Sequence, residues 1–252
     1  MPLGDYPSME FSSIDELCHL IGVHTKDWDT RWYRGLKSPT HQLLPKLFRD
    51  PKTAAREGYI AVEFRRRARS HLAGLASPFD WLCAMQHYGV PTRLLDWSES
   101  LSVALYFTVR PIGIDLVAPT VWVLDPFRLN ALSHPGPEYI PISSSAEVTA
   151  NSDIAFDDKL GDDIEELRTA LPLLVAPDFI FNRLAIQNGA FTIHGSDVRP
   201  IEHLVPAGQR NMLLKFIAKQ SEVNRIYDCI DLIKPSSDAV FPDMEGLKDY
   251  IV

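Results

Sequence analysis

Cysteine is scarce in this chain: Cys18, Cys83 and Cys229 are the only three in 252 residues, far apart and in no CxxC pair. That excludes a disulfide framework and a four-cysteine zinc site, and it favours a reducing compartment. Long apolar runs are missing as well, all of them far short of the ~20 residues a membrane span needs. The opening MPLGDYPSMEF has neither the basic nor the apolar region of a secretion signal. The expectation is a soluble, cytoplasmic protein with no membrane partner. There is no GxxxxGK[ST], no GxGxxG and no GxSxG, so P-loop, dinucleotide-fold and hydrolase-elbow fingerprints are absent. The eight histidines form no HxH or HxxxH pair, so no metal is expected. The 13 glycines and 19 prolines show no period, which rules out repeat architectures. The formal net charge of −8 argues against coating nucleic acid by bulk electrostatics.

What is present is a chain of ordinary globular composition, 46% hydrophobic and 23% charged, long enough to bury a core of its own. Ser13-Ile-Asp-Glu16 reads as a capping box and predicts a short helix over 14–21. Trp32–Leu36 reads as a strand ending in a turn, 53–74 as a long helix with basic residues on one face, and Ser77-Pro78 as the start of a helix ending at Gly89. A helix over 98–110 and a strand over 120–124 follow. Residues 133–165 are rich in Pro, Ser, Asp and Gly and read as a loop-like insertion or lid. Beyond it the pattern predicts a short helix to Ala170, a helix over 178–187, strands over 190–194 and 198–205, and helices over 208–219, 222–229 and 243–251.

Three segments set polar residues among apolar and aromatic ones. Tyr33-Arg34-Gly35 offers a guanidinium for an anionic or planar ligand beside a glycine that lets backbone approach. Gln86–Trp97 packs Gln86, His87, Thr92, Arg93 and Asp96 around the turn made by Gly89 and Pro91, with Arg93 and Asp96 close enough to pair. The same residues also suit a purely structural knot of caps and hydrogen bonds. Arg183–Phe191 carries Gln187 ahead of Gly189. A basic run, Arg65, Arg66, Arg67 and Arg69, fits an RNA or DNA substrate or a plain solvated helix face.

Tyr33-Arg34-Gly35, Leu44-Pro45 with Phe48-Arg49, and Gln86-His87-Tyr88-Gly89-Val90-Pro91-Thr92-Arg93-Leu94-Leu95-Asp96-Trp97-Ser98 with Ala104-Leu105-Tyr106-Phe107 resemble the FRG domain, a mainly bacterial family. Gln187-x-Gly-x-Phe191 and Phe241–Leu247 resemble its distal motifs, so the resemblance spans roughly 30–247. It divides the chain into an N-terminal helical extension, 1–29, and an FRG domain, 30–252.

A second resemblance is to ADP-ribosyltransferases. Tyr33-Arg34-Gly35 is similar to their first NAD-holding strand, and Leu95–Ser98 with Ala104 and Phe107 to their second element. Gln187, or Glu202 in Ile201-Glu-His-Leu-Val-Pro206, is similar to the third. The resemblance implies an α+β single domain with a split β core of ADP-ribosyltransferase type surrounded by helices, and NAD as co-substrate. Arg34 and Gln187 or Glu202 would be catalytic. Tyr33, Gly35, Gln86, His87, Thr92, Arg93, Asp96, Trp97 and Tyr106 would bind NAD, with Trp97 or Tyr106 stacking on nicotinamide. It further implies a toxin or phage-defence effector that modifies nucleic acid or protein and has an antitoxin or immunity partner. The alternative is a non-catalytic nucleotide or nucleic-acid recognition module whose pocket is lined by Arg34, His87 and Arg93.

Overall fold

Ser13 caps the first helix, its side chain accepting the Glu16 amide at 3.1 Å, but the Glu16 carboxylate reaches past it to the Ser12 amide at 2.7 Å, so the reciprocal half of the expected capping box is not formed. The computed structural model describes residues 6–109, 117–133, 139–156, 166–178 and 182–242. Seven strands form one mixed sheet: β1 (Ser8–Phe11), β2 (Trp32–Leu36), β3 (Leu94–Ser98), β4 (Thr120–Leu124), β5 (Leu173–Val175), β6 (Gly189–Ile193) and β7 (Leu213–Ala218). Their spatial order is β1-β7-β4-β2-β3-β6-β5, parallel for β1 with β7 and antiparallel elsewhere.

The described helices are α1 (Ile14–His24), α2 (Pro51–Ala54), α3 (Glu57–Ala68), α4 (Pro78–His87), α5 (Leu101–Val109), α6 (Pro126–Ser133), α7 (Ala146–Asp153), α8 (Asn182–Ile186), α9 (Ile201–Leu204), α10 (Val223–Ile233) and α11 (Ser237–Val240). Ser77 and Asp80 complete a capping box at α4, with Pro78 in the first turn where its missing amide costs nothing.

Apolar clusters cover both faces of the sheet. Trp32, Leu95, Trp97, Trp122 and Leu124 belong to one, and Phe11, Leu17, Val121, Val123 and Phe216 to another. Alternation along β4 sends Trp122 and Leu124 to one face and Val121 and Val123 to the other, as a centrally buried strand requires. Each fully buried side chain of this size contributes roughly 2–3 kcal/mol.

The sheet is thinnest between β2 and β3. β2 pairs with β4 at five positions, from Trp32↔Leu124 to Leu36↔Thr120, but with β3 only at Tyr33↔Ser98. Continuing that antiparallel register would set Gly35 opposite Asp96, and the strands part before they reach it.

Several local expectations are overturned. Residues 213–218 form β7 rather than a helix, because Leu213 and Phe216 are wanted by the cores on either side of the ladder with β4. Residues 201–204 form a single helical turn after Pro200 rather than a strand. Among the described residues 166–170 there is no helix, and Leu173–Val175 makes an edge strand. The expected loop over 133–165 contains α7, whose Val148, Ala150 and Asn151 are buried. β1, absent from the expectation for the first residues, pairs along its whole length with β7. The helix expected over 243–251 lies outside the described residues, as do 134–138 and 157–165 of the expected lid.

Candidate functional site

The parting of β2 and β3 opens a cavity of about 550 Å³, floored by the two strands and walled by the start of α5, the end of α4, α8 and the chain after β2. Gly35 lets α5 lie directly on β2, so the Tyr-Arg-Gly segment fixes the back wall by packing.

Arg34 comes from the middle of β2. Its terminal Nη1 donates to the backbone carbonyl of Asp96, a group that strand pairing with β2 would otherwise serve, and sits 3.8 Å from the Asp96 carboxylate. The Arg34 side chain is only 16% exposed, whereas that of Asp96 is 54% exposed. The Arg34 Nε is buried with no partner. Burial lowers the Arg34 pKa, Asp96 opposes that shift, and nearby Arg49 reinforces it. A guanidinium so placed is charged, directed into a cavity and short of acceptors, which is the condition for binding an anion.

Gln86, at the end of α4, donates to Asp96 Oδ2 at 2.9 Å and accepts from Thr92 Oγ1 at 2.6 Å. Gln187 lines the opposite side; its side-chain Nε2 donates to the Val240 carbonyl at 3.0 Å, and its backbone carbonyl accepts from Ser98 Oγ at 2.7 Å. His87 also lines the cavity, as do Tyr33 and Gly35. Lys37, His41, Arg49 and Arg183 add basic side chains to the lining and Thr40, Gln42 and Ser98 neutral polar ones, and Asp96 is the sole carboxylate among the described lining residues. Among the described residues Arg34, Lys37, Arg49 and Arg183 are the cationic side chains of the lining, and Lys37 and Arg183 are engaged in interactions of their own. Cys83 is in the wall, but burial pushes its thiol well above the ordinary range and keeps it protonated.

The structure therefore brings together Arg34, Gln86, His87, Asp96 and Gln187. It places other expected residues elsewhere. Arg93 does not pair with Asp96. It is buried at 3% exposure, grips Glu57 at 2.6 and 2.7 Å, and donates to the carbonyls of His194 and Gly195 at 2.6 and 3.1 Å. It ties the start of β3 to the segment after β6 and to α3, and it lies outside the cavity lining. Thr92 acts through Gln86 and also lies outside the lining.

Trp97 borders the cavity, but its indole belongs to the core and donates to Thr192 at 3.3 Å. Tyr106 is buried against Phe107 and Phe241. Phe191 also borders the cavity but is buried in the core against Phe79, which leaves Tyr33 and Phe107 as the rings placed for stacking. Glu202 is outside it: its carboxylate is buried and accepts the Leu43 amide at 3.1 and 3.3 Å, and burial raises its pKa.

Arg49 and Arg183 stood in segments already singled out by sequence, but only the fold shows that they share a cavity. Lys37 and His41 gave no sequence signal. Of the basic run, Arg66 and Arg67 donate to Glu63 at 3.0 and 2.8 Å, and Arg65 lies over the Phe156 ring at 4.7 Å. Among the described residues no group of three or more His, Cys, Asp or Glu is placed to hold a metal ion, and no helix is long and apolar enough to cross a membrane.

These features coincide with one known family. Residues 29–112 match the model of the FRG domain. The matched span carries β2, α4, β3 and α5, hence Arg34, Arg49, Gln86, His87 and Asp96; Arg183 and Gln187 come from beyond it. No curated protein and no solved structure matches the chain.

Proposed function

We propose that the cavity binds NAD and that the domain is an ADP-ribosyltransferase-like enzyme acting on a macromolecule. The observation that carries this reading is Arg34: a buried, partly unpartnered guanidinium at the point where β2 and β3 part. A sheet that divides at an arginine-bearing strand, with the helix after the second strand packed onto the first, fits the split core of that enzyme class. The Arg34 and Arg49 guanidinia suit a pyrophosphate, and Tyr33 and Phe107 offer rings for a base or nicotinamide.

In this reading Arg34 holds the diphosphate and Gln187 orients the nicotinamide ribose or the acceptor. The C–N electron pair leaves with nicotinamide, the acceptor bonds to the ribose carbon, and its proton passes to Asp96, the lining carboxylate. Glu202 takes no part, because its carboxylate is committed to the Leu43 amide outside the cavity.

Incubation with labelled NAD and protein, RNA or DNA acceptors tests the proposal. Label should appear on one acceptor class, and Gln187→Ala should slow transfer by ~10²-fold, the usual effect of losing one electrostatic element. Glu202→Ala should leave the rate of the folded fraction unchanged. A second reading, a non-catalytic nucleotide-recognition module, is favoured by one observation: Asp96 is already engaged by Arg34 and Gln86. Binding of NAD without any transfer of label would select it.

A further inference from the structure

Two arginines of the cavity share a like-charge conflict. Arg34 and Arg49 both line it, and Arg49 is near enough to destabilise the charge of Arg34. Arg49 is solvent-exposed, but it stands on an anchored turn. It ends the single helical turn Lys46–Arg49, entered through Pro45. Leu47 anchors that turn by full burial, Lys46 Nζ donates to the Gly89 carbonyl at 2.9 Å, and the Phe48 ring packs on His194 at 5.8 Å. Arg49 Nε donates to the Leu44 carbonyl at 3.1 Å, which sets the plane of the guanidinium. Its two terminal nitrogens have no partner among the described residues. Two guanidinia facing one cavity repel each other weakly through solvent, and an anion between them turns that repulsion into shared attraction.

We infer that Arg34 and Arg49 form a two-arginine cradle for a diphosphate, with Arg49 as a ligand-contacting residue and Arg34 shared between the anion and the Asp96 carbonyl. This rests on the reading that the cavity takes a dinucleotide, and it deepens that reading by assigning the linker between the two nucleotide halves to a defined pair. A diphosphate is favoured over a single phosphate because two guanidinia on separate elements can each take one phosphoryl group.

Thermal melts and titration calorimetry of the full chain test the cradle, using inorganic pyrophosphate, orthophosphate and ADP-ribose on wild type, Arg49→Gln and Arg49→Lys. Wild type should bind pyrophosphate more tightly than orthophosphate. Arg49→Gln should weaken pyrophosphate and ADP-ribose by ~10-fold or more, the loss expected for a charged hydrogen bond. Its unliganded melting temperature should equal or exceed that of wild type, because a repulsion is removed, and Arg49→Lys should recover part of the binding. Unchanged pyrophosphate affinity in Arg49→Gln, or a fall of several degrees in its unliganded melt, overturns the cradle and makes Arg49 a structural residue. ADP-ribose binding that persists at wild-type strength in Arg49→Gln overturns the cradle while leaving the nucleotide reading intact. Arg49-dependent pyrophosphate binding without any ADP-ribose or NAD binding supports the cradle and removes the NAD reading.

Discussion

Gly35 and Ala104 touch through backbone: a Cβ built on Gly35 would lie 1.8 Å from the Ala104 carbonyl oxygen and 2.9 Å from Thr108 Cγ2. No rotamer change relieves a clash with a helix carbonyl. Gly35→Ala should therefore push α5 off β2 and cost at least ~3 kcal/mol, the upper end of overpacking losses. Urea unfolding measures this, and a variant within 1 kcal/mol of wild type would mean that α5 does not seat on β2 as described.

Arg93 and Glu57 form a buried ion pair that supports the site without touching ligand. Removing one partner leaves a buried charge, so Arg93→Ala should cost about 3–5 kcal/mol. Glu57→Gln should also destabilise. Under conditions where these variants stay folded, nucleotide affinity should stay within ~3-fold of wild type. A large affinity loss in a folded Arg93 variant would place Arg93 in the site after all.

Asp96 behaves differently, because more than half of its side chain is exposed. Asp96→Asn should change stability by less than ~1 kcal/mol, as for an exposed ion pair. The substitution should nevertheless slow any transfer reaction, since it removes the carboxylate that lines the cavity. Comparing melts and rates of Asp96→Asn with those of Arg93→Ala separates support from chemistry.

His194 predicts a pH effect. Burial lowers its pKa from 6.5 to about 4, so the folded protein holds the ring neutral where the unfolded chain would protonate it. Its contribution is fully present above pH 6.5 and is lost as pH falls from 6.5 towards 4, up to roughly 3 kcal/mol by linkage. His194→Gln should flatten the stability profile across that window relative to wild type. Parallel profiles for the two proteins would contradict the buried neutral ring.

How far the sequence revealed this protein depends on where the deciding contact lies. The caps at Ser13 and Ser77 and the strands at 32–36, 120–124 and 189–193 were legible because their signals are local. Leu213–Ala218 was not, since Leu-Leu-Lys-Phe-Ile-Ala suits a helix until β1 and β4 claim it on both edges. Ile201–Leu204 looked like a strand because β-branched and apolar residues flank it, but Pro200 and the Glu202–Leu43 contact make it a helical turn. In the site, Arg34, Gln86, His87, Asp96 and Gln187 were readable as polar residues inside apolar motifs. Arg93 has the same signature and is structural; only its Glu57 partner, 36 residues earlier, shows this.

The central claim is that Arg34 exists to meet a nucleotide anion, and the most direct measurement is calorimetric titration of ADP-ribose and NAD into wild type and Arg34→Gln. Wild type should bind both, and Arg34→Gln should remain folded and bind them at least ~10-fold more weakly, as loss of a charge-assisted hydrogen bond requires. Equal affinity in the two proteins, or no binding of either nucleotide to wild type, would contradict the account.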